Sequence, residues 1–174
     1  MKRRGFTLVE LLVVLAIAAI LVTIAVPGYA FLVNAGRLTS ATNDLLLALH
    51  TARSEAIKRG TRVTVCKTSA PDVPAPACDP SAEWEQGWLL FVDGGTRGTI
   101  DGGDAVLWRH RDIAAWADIT TGNTFSQYVS YLSTGTSQGS SGLHNDTMRI
   151  CVAGTRRDII VNSVGRPRLG SGVC

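Results

Sequence analysis

From Phe6 to Val26, 18 of 21 residues are apolar, and only Thr7, Glu10 and Thr23 break the run. A helix of that length reaches about 30 Å, close to the hydrocarbon thickness of a bilayer, and no later stretch approaches it. The run therefore predicts a single membrane span at the N-terminus, followed by 148 residues that can bury a core of their own. Lys2, Arg3 and Arg4 precede the span with no acidic residue among them. The positive-inside rule then predicts a cytoplasmic N-terminus and a translocated C-terminal domain. Cysteine usage agrees: Cys66, Cys78, Cys151 and Cys174 all lie in the part predicted to be translocated, where disulfides persist. Four cysteines allow two bridges in three pairings. With no CxxC spacing and three scattered histidines, no metal site is expected.

The formal net charge of +3 conceals a division along the chain. Without Lys2, Arg3 and Arg4, 14 basic side chains face 14 acidic ones. Residues 149–174, however, carry Arg149, Arg156, Arg157, Arg166 and Arg168 against Asp158 alone, a local balance of +4. Without the leader the protein is neutral overall, and its C-terminal segment is basic.

The N-terminal run does not follow the grammar of an ordinary secretory signal, which places a small-residue cleavage site after the apolar core. Here the apolar stretch is longer, no A-x-A site follows, and Glu10 sits inside it. A carboxylate near the start of a membrane span is costly to insert and marks a functional position. The order KRRG-FTLVELL strongly resembles the leader and N-terminus of type IV pilins and type II secretion pseudopilins. The resemblance implies that a prepilin peptidase cuts after Gly5 and methylates the new amine on Phe6. It also implies that Glu10 pairs with the N-terminal ammonium of a neighbouring pilin subunit in the filament. Such a pair offsets the burial of both charges and fixes register. The implied location is the inner membrane, with the C-terminal domain in the periplasm, and then a pilus or pseudopilus.

Beyond the span, Pro27 and Gly28 are expected to interrupt the helix. Leu38, Ala41, Leu45, Ala48, Leu49, Ala52 and Ala56 then recur at three- and four-residue intervals, an amphipathic stripe suited to core packing. Lys58, Arg59 and Gly60 form a C-terminal stop signal. After Gly60 the pattern becomes short β-type runs at 62–67, 87–92, 105–110, 128–132, 148–152, 158–161 and 166–169, divided by turn residues. TGTSQGSSG, from Thr134 to Gly142, reads as a flexible surface loop. The predicted organisation is a leader (1–5), a transmembrane half-helix (6–26), an amphipathic half-helix (27–59) and a β-rich domain (60–174). The predicted fold class is α+β and pilin-like: a long N-terminal helix packed on antiparallel sheets.

VTVCKTS, then EWEQGWLLFVD, an Asp/Gly-rich turn and AVLWRHR together resemble the GspH/FimT branch of minor pilins and pseudopilins. The ending RICVAGTRRDIIVNSVGRPRLGSGVC resembles FimT in particular, where a GRxR motif lies between two cysteines. That motif is matched by Gly165, Arg166, Pro167 and Arg168. Spacing favours Cys66 with Cys78, closing a small loop, and Cys151 with Cys174, tying down the arginine-bearing end.

No nucleophile-and-base set, metal cluster or phosphate loop is recognisable, so no cofactor and no enzymatic activity are expected. His50, His110 and His144 join no such set. The stretch from Asp93 to Asp104 is rich in Asp and Gly but lacks the EF-hand spacing, and reads as hairpin chemistry. Trp88 and Trp108 fall in strand-like runs and read as core, whereas Trp84 and Trp116 are undetermined.

The arginines carry the functional signal. Arg166 and Arg168 alternate across Pro167, so an extended segment points both to one face. Proline suits an exposed edge, and the guanidinium fork matches phosphate oxygens. Arg156 and Arg157, in the preceding hairpin, are expected to extend the patch. With the FimT resemblance, this footprint implies sequence-independent, salt-dependent binding of double-stranded DNA in natural transformation. The competing expectation is a structural minor pilin or pseudopilin that primes assembly, with the arginines as rim charges.

Overall fold

The computed structural model describes residues 7–174, apart from the side chains of Ile24 and Pro27. The expected cleavage point at Gly5 and Phe6 and the basic residues before it lie outside the described residues. The contacts group the chain into a first unit ending at Gly36 and a second, Arg37–Cys174.

Helix α1 spans Leu8–Arg59. The Glu10 amide donates to Thr7 Oγ1 at 3.2 Å, satisfying one of the orphan donors of the first turn. At the other end Lys58 and Arg59 occupy the last turn and Gly60 takes a left-handed φ of 66°, as the stop signal predicts. The expected interruption at Pro27 and Gly28 is absent: both lie inside the helix. Proline removes a single amide from the ladder, and helical turns continue on both sides of it. In the first unit Leu11, Val14, Ile17 and Leu21 are among the exposed apolar side chains. This is the one helix in the described residues long and apolar enough to cross a membrane.

The second unit contains nine strands: β1 Val63–Lys67, β2 Trp88–Val92, β3 Val106–His110, β4 Asp118–Thr121, β5 Tyr128–Tyr131, β6 Ser137–Gly139, β7 Asp146–Val152, β8 Thr155–Val161 and β9 Pro167–Val173. They form two antiparallel sheets, ordered β3-β2-β1-β5-β6 and β4-β7-β8-β9. Met148, Ile150 and Val152, on one face of β7, are buried, as are Ile159 and Val161 of β8. These pack with the α1 stripe and with Val63, Val65, Leu90, Val129 and Tyr131 of the larger sheet in one apolar cluster. All seven stripe residues named from the sequence are buried. Cys66, Leu89 and Phe91 form a second cluster on the other face of the larger sheet.

The segment 134–142 is not a free loop. Ser137–Gly139 forms β6 against β5, and Gly135, Ser137 and Gly139 are buried. The small residues serve close packing, because a β-carbon on Gly139 would overlap the Thr124 carbonyl. Strand β4 and a 3-10 turn at Trp84–Gln86 are likewise absent from the sequence reading.

Candidate nucleic-acid interface

The segment Asn162–Arg166 reverses the chain between β8 and β9. The Gly165 amide donates to Asn162 O at 2.9 Å, the Asn162 amide to Arg166 O at 3.2 Å, and the Arg166 amide to Asn162 Oδ1 at 2.8 Å. Gly165 has φ of 76°, the region that glycine adopts without strain. It is also buried: a β-carbon there would overlap the Gly135 carbonyl and lie 2.9 Å from the Ser137 amide nitrogen. Arg53 of α1 donates Nε to Gly135 O at 2.9 Å and Nη2 to Val164 O at 3.4 Å. The turn is thereby fixed against the β5–β6 hairpin and the helix. Gly165 has no outward group to offer a ligand. Within the GRPR motif it forms the turn from which Arg166 leaves.

Register decides which arginines share a face. In β8–β9, Ile160 lies opposite Arg168, Asp158 opposite Gly170 and Arg156 opposite Gly172. In β7–β8, Arg149 lies opposite Asp158. Side chains at these positions project from the sheet face away from Met148, Ile150, Ile159 and Val161, because successive residues of a strand alternate. Arg149, Arg156 and Arg168 therefore share the outer face. Arg166, exposed at the closing pair of the turn, extends the row in the same alternation. Arg157 does not: it falls one residue out of phase, on the other face, where it lines a small cavity of about 50 Å³ with Thr39, Thr42, Asn43 and Leu169. Two adjacent residues of a strand project to opposite faces, so Arg157, although exposed, lies apart from the row that carries Arg149, Arg156 and Arg168. Arg149 was counted in the basic tail by the sequence, but its place on this face follows from pairing two strands away from β9.

Arg149, Arg166 and Arg168 are exposed and form no ion pair among the described residues. Arg156 does: its Nε lies 2.9 Å from Asp158 Oδ1, and Nη2 donates to Oδ2 at 3.4 Å. The Nε approach is misaligned for a hydrogen bond, so attraction between the charges carries most of the pair. The Arg156 guanidinium lies over Gly172, where a β-carbon would sit 2.7 Å from Nη2. Cys151 and Cys174 are bridged, with Cα atoms 6.1 Å apart, which ties the end of β9 to β7 across β8. Cys66 and Cys78 form the other bridge, with Cα atoms 5.6 Å apart.

The other sequence candidates have structural roles. Asp93 accepts from Arg62, Thr64 and the Gly98 amide, and Asp104 from the amides of Gly94 and Asp101. These carboxylates hold their own loop, and no group of three or more metal-ligating side chains occurs among the described residues. His110 stacks on Trp88 with ring centroids 3.7 Å apart. Trp84 and Trp88 are buried, while Trp108 and Trp116 are half-buried against the core.

One long helix packed on antiparallel sheets is the architecture of pilins. The chain belongs to the family of the type II transport protein GspH, whose model matches residues 41–165. Residues 1–26 match the prokaryotic N-terminal methylation motif. Two crystal forms of the type IV minor pilin FimU from Pseudomonas aeruginosa share the fold. One has a TM-score of 0.57 at 19% identity over 78% of this chain and 89% of that one. The other has a TM-score of 0.53 at 19% identity over 76% and 92%. No curated protein is detectably similar in sequence.

Proposed function

We propose that this chain is a minor type IV pilin that binds extracellular double-stranded DNA, without regard to sequence, through Arg166 and Arg168, with Arg156 further along the same face. The single observation that carries the reading is the pair of exposed arginines, without ion pairs, on a disulfide-tied edge hairpin in the basic C-terminal segment. Guanidinium groups free of carboxylate partners are available to phosphate oxygens. Incorporated in a pilus, the subunit would hold DNA while retraction draws it inward for natural transformation.

The methylation motif supports the rest of the life cycle. In this reading a prepilin peptidase cuts between Gly5 and Phe6 and methylates Phe6. Residues 6–26 hold the subunit in the inner membrane, with residues 60–174 in the periplasm. Glu10 then pairs with a neighbouring subunit's N-terminus during assembly. The description of the family as a type II transport protein favours a second reading, a structural pseudopilin or minor pilin that primes filament assembly.

Titration of the full-length chain in neutral detergent with duplex DNA, at several salt concentrations, tests the first reading. Charge reversal of Arg166 and Arg168 is expected to abolish most binding and flatten the salt dependence. Unchanged affinity and slope would reject the site. Deleting the gene separates the two readings: lost transformation with pili intact supports DNA uptake, whereas lost pili or secretion supports assembly.

A further inference from the structure

Arg149 and Asp158 have no assigned role, yet both lie on the face that carries Arg156 and Arg168. Strands are about 4.8 Å apart and rise about 3.3 Å per residue. The register thus puts the Arg149 Cα about 8 Å from that of Arg156 and about 12 Å from that of Arg168. The three side chains are far enough apart to reach separate phosphates and close enough to act on one duplex. Between Arg168 and Arg156 this face of β9 carries only Gly170 and Gly172, and the β8 side chains Ile160, Asp158 and Arg156 lie over them. Asp158 sits in the middle, opposite Arg149 on β7 and paired with Arg156 on its own strand. Beyond Arg149 the next strand offers Thr120, and then Asp118 opposite Cys151. The basic area therefore ends at β7.

We infer that the DNA-binding surface is the outer face of β7–β9 rather than the hairpin tip alone. Arg149 is a further phosphate contact, and Asp158 is an internal counter-charge that phosphate displaces from Arg156. The inference rests on the DNA-binding reading and deepens it. In the free subunit Asp158 occupies the Arg156 guanidinium and lowers the potential at Arg149. A phosphate arriving at the face competes with that carboxylate, so the wild-type protein binds less tightly than its arginine count allows. Rapid release suits a subunit that must hand DNA on.

The test is a salt-dependent duplex titration of the full-length chain in neutral detergent, with Arg149→Ala, Asp158→Asn and Arg157→Ala. Arg149→Ala is expected to weaken binding and reduce the salt slope by about one. Asp158→Asn is expected to tighten binding about two- to fivefold, the scale of one partly exposed charge pair. This gain should shrink in the Arg156→Ala background, leaving only the effect on the potential at Arg149. Arg157→Ala, on the opposite face, should leave both quantities unchanged. Circular dichroism spectra and Tm values matched to wild type verify folding, and Arg149→Glu provides a second exposed variant. If reversal of Arg166 and Arg168 abolishes binding while Arg149→Ala changes neither affinity nor slope, the extended face is wrong and the hairpin reading survives. Unchanged or weaker binding by Asp158→Asn would overturn the counter-charge. Should the wild-type chain show no salt-dependent binding at all, the underlying DNA reading falls and this inference falls with it.

Discussion

Gly165 packs its α-carbon against the carbonyl of Gly135 so closely that no β-carbon fits between them. The contact joins the β8–β9 turn of the smaller sheet to the β5–β6 turn of the larger one, and Arg53 closes it by donating to Gly135 O and Val164 O. The exposed arginines that follow are presented from a fixed base.

Replacing Gly165 by alanine should destabilise the domain by about 2 kcal/mol or more, since left-handed strain adds to a backbone overlap. For a chain of this size that lowers Tm by about 4 °C or more. Gly142, with φ of 84° but nothing within 4 Å of its added β-carbon, should tolerate alanine better. Differential scanning fluorimetry of the two variants makes the comparison.

Removing the Cys151–Cys174 bridge with a double serine substitution should cost about 3 kcal/mol in the chain-entropy model. β9 is an edge strand paired only with β8. Its amides should therefore exchange faster than those of β7, which hydrogen exchange with mass spectrometry resolves. Equal protection of residues 167–173 in both forms would mean that strand pairing alone holds the edge.

Leu49 of α1 is fully buried in the cluster that the helix shares with both sheets. Leu49→Ala should cost about 2–5 kcal/mol, because the rigid sheets cannot collapse into the space left behind. Leu47, half-exposed on the same helix, should cost far less. Denaturant unfolding of the two variants tests the difference.

Glu85 gives a pH prediction. Burial pushes its carboxyl above the ordinary glutamate value of 4.5, and the carboxylates of Asp118 and Glu83 push the same way, against hydrogen bonding that includes the Ile119 amide. The folded state thus holds this proton more tightly than the unfolded chain. The resulting penalty is absent below the ordinary value and grows as pH rises through the raised one. Glu85→Gln, whose carbonyl can still accept from Ile119, should be the more stable protein at neutral pH. The advantage should disappear below about pH 4. Chemical denaturation across that range measures it, and a constant difference would discount the titration.

The helix, its stripe of seven buried residues and seven of the nine strands were legible in the sequence because they are local. Apolar periodicity, charged last turns and glycine stops act within a few residues, wherever the segment ends up. Strands β4 and β6 were not legible. Four and three residues long and mostly polar, they exist because β7 and β5 supply their hydrogen bonds. The same division runs through the candidate site. That Arg166 and Arg168 share a face across Pro167 follows from the period of a strand, and the sequence alone determined it. Placing Arg157 on the opposite face and Arg149 beside Asp158 required the register of β7, β8 and β9. A shift of one residue exchanges the two faces of a strand, and that shift is set by contacts between segments distant in the chain. The tertiary structure decided it.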